Sequence, residues 1–102
     1  MTERVKLEAA QVQEKLKSHS GWNLDAKGRA IEKTFGFDGF AEAFAFMTQC
    51  ALAAEKLDHH PDWSNSYSTV EIRLTTHSAG GLTKLDFQLA LEIDRAEAHY
   101  RI

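Results

Sequence analysis

Glu55-Lys56-Leu57-Asp58-His59-His60-Pro61-Asp62-Trp63 holds two adjacent histidines, three carboxylates, a lysine and an indole within nine residues. It also contains the only proline of the chain. Pro61 decides how its flanks are read. The residue before a proline is driven out of the α region, so a helical run arriving from upstream has to end before it, and the chain leaves extended. A loop so rich in titratable groups is costly to bury and adds little packing, which makes it the first candidate for chemistry.

Upstream, the spacing predicts a helix over 39–57, with Asp38 as its N-cap. Phe40, Ala43, Phe44, Phe46, Met47, Cys50, Ala51, Ala53, Ala54 and Leu57 cover roughly 180° of its circumference, where a helix on one core needs only about 100°. Leu52 and Ala45 lie outside that arc. Either the domain grips this helix all round, or one side packs on a sheet and the other on a second subunit.

Downstream, the chain from Trp63 alternates. Val70, Ile72, Leu74 and Thr76 fall on one side, and Thr69, Glu71, Arg73, Thr75 and His77 on the other. This pattern predicts half-buried antiparallel strands with a break near Asn65-Ser66. Gly80-Gly81 is a turn. Thr83-Lys84-Leu85-Asp86 reads as a capping box with Asp in place of Glu. It opens a last helix whose stripe is Leu85, Leu89, Ile93, Ala96 and Tyr100.

The first third holds a further helix over 5–18, with Val5, Ala9, Val12 and Leu16 on its apolar stripe. A short strand at Trp22–Asp25 and a strand over 30–37 follow, joined by a turn at 25–29. Ile31, Phe35 and Phe37 share one face of the second strand, which Lys33 interrupts. The order α-β-β-α-β(β)-α predicts an α+β domain with its helices layered on one face of an antiparallel sheet.

The 102 residues are read as one domain, 1–102. A net charge of −3 without a basic cluster argues against a nucleic-acid surface. Cys50 is the only cysteine, so neither an internal disulfide nor a cysteine-based zinc cage is expected. The start, Met1 to Lys6, is charged and lacks the apolar core of a signal peptide. No apolar run approaches the ~20 residues needed to span a bilayer. A cytoplasmic location is the simplest expectation.

His19 and His99 read as surface residues. His59, His60 and His77 converge if the strand returns past the end of the central helix. Three chemistries are open to such a cluster. A metal site is one, with Asp58 or Asp62 as further ligands, although adjacent histidines lack the i,i+4 spacing of a helical metal pair. Nucleophilic catalysis through Cys50 or a serine is another, although Cys50 sits mid-helix on the apolar arc and no serine motif stands out. The third is metal-free general acid–base catalysis, for which an ordinary histidine pKa near 6.5 is suited. A polar loop whose histidines only cap helix carbonyls stands beside all three. Trp63 is either an anchor for the loop or a flat wall for an aromatic ligand. Glu55 and Asp58 are either solvated charges or acceptors for a heterocycle's N–H groups.

The run Glu55 to Trp63, followed by Tyr67, Val70, Ile72, Leu74, Thr76-His77 and Gly81-Leu82-Thr83, closely resembles the signature of the pterin-4a-carbinolamine dehydratases. The resemblance extends upstream through Gly21-Trp22, Ala30-Ile31, Phe35, Phe37, Phe40, Ala43-Phe44, Phe46-Met47 and Ala51-Leu52. Downstream it reaches Asp86 and Leu89-Ala90. It implies a four-stranded antiparallel sheet with three helices on one face, in the order α-β-β-α-β-β-α, and assembly into homodimers or homotetramers through the central helix.

The implied reaction is dehydration of 4a-hydroxytetrahydropterin to quinonoid dihydropterin, which recycles the pterin of aromatic amino acid hydroxylases and requires no metal or organic cofactor. By the same resemblance, His59 and His77 are the general acids and His60 holds and polarises the pterin. Asp58 and Thr75-Thr76-His77-Ser78 line the pocket, Trp63 forms a wall, and Glu55 and Asp86 are supporting carboxylates. Thr75 stands where serine is common, and Ala79-Gly80 where vertebrate members often carry cysteine and alanine. Vertebrate relatives also serve as dimerisation cofactors of a homeodomain transcription factor, so a non-catalytic interaction role is the alternative.

Overall fold

The computed structural model describes residues 4–100, and the first three and last two residues of the expected domain lie outside it. Its elements are α1 (Ala9–Leu16), β1 (Asn23–Leu24), β2 (Ile31–Gly36), α2 (Phe40–Leu57), β3 (Asp62–Ser66), β4 (Thr69–Leu74) and α3 (Lys84–Ala98), with a 3₁₀ turn at His77–Ala79. The four strands form one antiparallel sheet in the order β1-β2-β4-β3. The α+β order expected from the sequence is the order observed.

Alternation decides which face of the sheet is covered. Ile31, Phe35, Val70, Ile72 and Leu74 are buried, whereas Glu32, Thr34, Glu71 and Ser64 are exposed. The buried set packs on Ala43, Phe46, Cys50 and Ala54 of α2 and on Leu89, Ala90 and Ile93 of α3, with Val12 of α1 joining the same core. Phe46 is fully buried between Phe35 and Phe37, with ring centroids 5.0 and 4.8 Å away. Offset aromatic contacts of this kind add to the burial of the rings themselves.

Lys33 interrupts the inward face of β2 because it has a partner there. Its Nζ lies 2.9 Å from Asp94 of α3, whose other carboxylate oxygen accepts from Trp22 Nε1 at 3.1 Å. The ammonium also sits over the Trp22 and Phe35 rings. A half-buried charge is tolerated when paired in this way.

Four local expectations need correction. Helix α1 begins at Ala9, not at 5, and Val5 is 60% exposed. Leu7 instead donates its N–H to Leu82 O at 2.8 Å, which holds that segment extended, and Gln11 Oε1 then caps the Glu8 N–H. Asp38 is not the N-cap of α2. Gly39 occupies that position, and Glu42 Oε1 reaches back to the Asp38 N–H at 3.1 Å. The break between β3 and β4 falls at Tyr67-Ser68, where Tyr67 adopts φ 50°, rather than at Asn65-Ser66. His19 is half-buried, with its ring against Phe87 at 5.2 Å and its Nδ1 at Lys15 O.

Candidate active site

Helix α2 ends at Leu57 because Asp58 turns left-handed, with φ 53° and ψ 45°. Glycine is the usual residue there, and among the others aspartate tolerates it well. The His59 N–H then bonds back to Ala54 O at 3.0 Å, closing the helix end. Pro61 lies three residues further on. Arg4 donates from its guanidinium to Asp58 O and so tethers the loop from the other side.

This turn sends the adjacent histidines in opposite directions. His59 goes inward and is 7% exposed, whereas His60 is exposed. His59 Nε2 lies 2.5 Å from Asp86 Oδ1. Asp86 is fully buried at the third position of α3, held by the capping box that opens the helix. Its Oδ2 accepts from the Thr83 N–H at 2.9 Å and from Thr76 Oγ1 at 2.8 Å.

Proton counting orders this network. Each threonine has one hydroxyl hydrogen. Thr76 gives its hydrogen to Asp86, so in the 2.9 Å contact between the two hydroxyls Thr83 is the donor. Thr83 Oγ1 in turn accepts from the Leu85 N–H at 3.3 Å. Asp86 Oδ1 is left for His59, and an ionised carboxylate only accepts, so the His59 proton sits on Nε2. His59 Nδ1 has no hydrogen-bond partner among the described residues, and no partnerless side-chain nitrogen or oxygen there is sealed from solvent. Nδ1 is therefore the edge that can take or give a proton.

Asp86 thus joins the Asp58-His59-His60 turn to the Thr76-His77 turn. A second link lies outside it. His77 opens the 3₁₀ turn, with an exposed side chain whose Nε2 stands 3.5 Å from Asp62 Oδ2. His60 pairs instead with Glu55 across the helix end, Nε2 to Oε2 at 2.8 Å. Each of the three histidines therefore faces its own carboxylate. A hydrogen-bonded histidine–carboxylate pair, as His59 and His60 have, fixes ring orientation and tautomer.

Trp63 is half-buried against the core and borders a cleft of about 460 Å³ with Asp62, Glu71 and Arg73. Thr75 and His77 border a second cleft of about 350 Å³, which Arg73 also lines. Thr75 Oγ1 donates to Arg29 O at 2.6 Å. Ser78 and Asp58 are exposed. The cleft beside His77 is not lined by His59 or His60, and each histidine keeps a separate carboxylate. Among the described residues no three His, Cys, Asp or Glu side chains gather as a metal site.

Two contributors escape a reading of the sequence. Thr83 reads only as a helix cap, yet it orients Thr76 and Asp86. Asp62 reads only as a ligand for a metal, yet it is the partner of His77. The capping-box spacing was the available signal for Thr83. For Asp62 nothing local distinguishes it from a solvated carboxylate.

The fold, a helix-covered antiparallel sheet with a histidine-bearing turn at the end of its central helix, has clear relatives. The family described as pterin 4 alpha carbinolamine dehydratase matches residues 5–96. The chain belongs to this family. A Sinorhizobium fredii protein that carries the provisional name pterin-4-alpha-carbinolamine dehydratase is 56% identical over 93 residues, covering 91% of this chain and 89% of its own. A Rhizobium meliloti protein of the same provisional name is 57% identical over 91 residues, covering 89% and 88%.

Among solved structures, a transcriptional coactivator/pterin dehydratase from Brucella melitensis superposes with a TM-score of 0.87. It is 42% identical, over 89% of this chain and 97% of that one. A pterin dehydratase-like protein identified as a RuBisCO assembly factor in the alpha-carboxysome gives a TM-score of 0.64 at 24% identity, a likeness of fold alone. No helix among the described residues is long and apolar enough to cross a membrane.

Proposed function

We propose that this chain is a dehydratase that converts 4a-hydroxytetrahydropterin to quinonoid dihydropterin and water. The observation that carries the reading is the buried His59–Asp86 pair, with Nε2 engaged and Nδ1 left open. Loss of water breaks the C4a–O bond. The departing hydroxyl takes a proton, N5 gives one up, and the N5 lone pair closes the new C=N bond. Two proton transfers suffice, and histidine serves both near neutrality.

In this reading His59 and His77 are the acid–base groups, from the loop after α2 and the turn after β4. His60, held by Glu55, polarises the pterin. Asp58 and the Thr75–Ser78 segment accept and donate along the heterocycle edge, and Trp63 supplies a wall. Asp86 positions His59, and Thr76 and Thr83 position Asp86. The product would return to the pterin cycle of an aromatic amino acid hydroxylase.

Assembly through α2 belongs to the same proposal. Phe40, Phe44 and Leu52 are 50%, 54% and 66% exposed on that helix, and a second copy is the occupant the family resemblance favours. The same face supports the alternative reading as an interaction protein. A direct assay of 4a-hydroxytetrahydropterin dehydration on the purified chain separates the two. Turnover above the spontaneous rate, unchanged by EDTA and strongly reduced in His59→Ala and His77→Ala, is the expected result. An intact oligomer without turnover would favour the interaction role, and loss of turnover on chelation would point to a metal.

A further inference from the structure

The turn between β1 and β2 faces the 3₁₀ turn at His77, and the 350 Å³ cleft lies between them. Its wall carries three cations, Lys27, Arg29 and Arg73, against one carboxylate, Asp25. That carboxylate is already engaged. Asp25 Oδ1 accepts from the Arg29 and Ala30 N–H groups at 2.9 and 3.3 Å, and Oδ2 accepts from Arg73 Nη1 at 2.9 Å. Arg73 is shared further with Glu32 at 3.1 Å.

Lys27 and Arg29 have no carboxylate partner among the described residues. They form a local excess of positive charge on a chain whose net charge is −3. Against a negative background, such an excess draws an anion to one place.

The cations are presented by a built turn. Gly28, at φ +70°, allows the tight return, and its N–H bonds to Asp25 O at 3.0 Å. The Thr75 hydroxyl fastens the Arg29 carbonyl from the opposite wall. On the far side Gly80 leaves open space, with nothing within 4 Å of where a Cβ would stand. The cleft is therefore uncovered and shares one rim, His77 and Thr75, with the candidate active site.

From this arrangement we infer that the cleft beside His77 is an anion subsite, in which Lys27 and Arg29 hold a phosphate ester carried on the side chain of the pterin. The inference rests on the dehydratase reading, because it takes His77 as the group next to the pterin ring. A phosphate monoester matches the site in charge, since two unpaired cations face a group of nearly two negative charges. The subsite distinguishes substrates by their side chains, whereas the histidines act on the ring that all of them share.

The test is a pair of pterins that differ only in the phosphate. 7,8-Dihydroneopterin and its 3′-monophosphate are titrated against the purified full chain and against Lys27→Gln/Arg29→Gln, with pterin fluorescence as the readout. Both substituted side chains are exposed, and circular dichroism checks that the variant keeps its fold. The ester is expected to bind the native chain about tenfold more tightly than the uncharged pterin, as fits exposed charge-assisted contacts. That ratio should shrink as salt is raised and fall to near one in the double variant. Millimolar inorganic phosphate should weaken the ester and leave the uncharged pterin unaffected.

Equal binding of the two pterins, with dehydration intact, overturns the subsite and leaves the dehydratase reading standing. An advantage for the ester that survives in the double variant also overturns it. Binding of neither pterin, with no turnover, removes the subsite together with the reading on which it rests.

Discussion

Asp86 Oδ1 stands 2.5 Å from His59 Nε2, in a setting where Asp86 is fully buried and His59 nearly so. The other oxygen of the carboxylate is held by Thr76 and Thr83. Asp86 therefore has one oxygen left, and it aims at one nitrogen of one histidine. Such a pair sets which ring nitrogen carries the proton.

Asp86→Asn tests that role while sparing the fold. The amide oxygen can keep the Thr76 and Thr83 hydrogen bonds, and the amide NH₂ then faces His59. His59 must accept at Nε2 and carry its proton on Nδ1, the reverse of the native tautomer. The expected outcome is a kcat lower by roughly 10²–10⁴-fold, with KM and helix content near native. Asp86→Ala should instead unfold readily, because each buried group left unpaired costs about 1–3 kcal/mol. Steady-state kinetics beside urea melts distinguish the two. Native kcat in a folded Asp86→Asn chain would remove Asp86 from the mechanism.

Acid should weaken the β1–β2 turn. The Arg29 N–H group, followed by the Arg73 guanidinium, holds the Asp25 carboxyl below its ordinary value. The folded pKa lies under the unfolded one, so this stability is fully present above an unfolded pKa of about 3.9 and is lost as pH falls through the folded value. In urea midpoints measured from pH 6 downward, Asp25→Asn should be less stable than native near neutrality. The gap should close as the medium becomes acidic. A gap independent of pH would show that the side chain acts by shape alone.

Cys50 should be silent as a nucleophile. Burial, with a smaller effect of the nearby Asp94 charge, pushes its thiol up to about 12. The thiolate is the reactive form, so its population near pH 7 is negligible. A disulfide-exchange reagent such as dithionitrobenzoate should label the native chain only at the rate of opening and label it at once in denaturant. Rapid labelling of the folded chain would contradict the packing described for α2.

Phe44 and Phe40 lie 5.6 Å apart with half of each exposed, whereas Met47 packs on the core. Phe44→Asp should therefore give a folded monomer from an oligomeric native chain, while Met47→Asp should unfold. Light scattering with size-exclusion chromatography, paired with circular dichroism, measures both. A native chain that elutes as a stable monomer would reject assembly through α2.

Much of this protein is written locally. Pro61 bounded the central helix, the alternation through Val70, Ile72 and Leu74 placed one sheet face in the core, and Thr83 with Asp86 announced α3 by their spacing. These signals are short-range, since a hydrogen bond within one turn or a period of two residues is complete inside a few positions. Local patterns misled where a distant contact outweighed them. Leu82 held Leu7 out of the α1 helix, and Asp94 accepted Lys33 on an apolar face.

The sequence by itself determined the elements, their order, the family and the two histidine-bearing segments. Only the tertiary structure decided what those histidines do in space. His59 and His60 are neighbours in the chain, yet the left-handed Asp58 turns one into the interior and the other into solvent. Which carboxylates His59 and His77 meet depends on where α3 and β3 dock, and Asp86 and His59 are separated by 27 positions. Side-chain pairing across such a distance is set by the packing of the core, which no local period encodes.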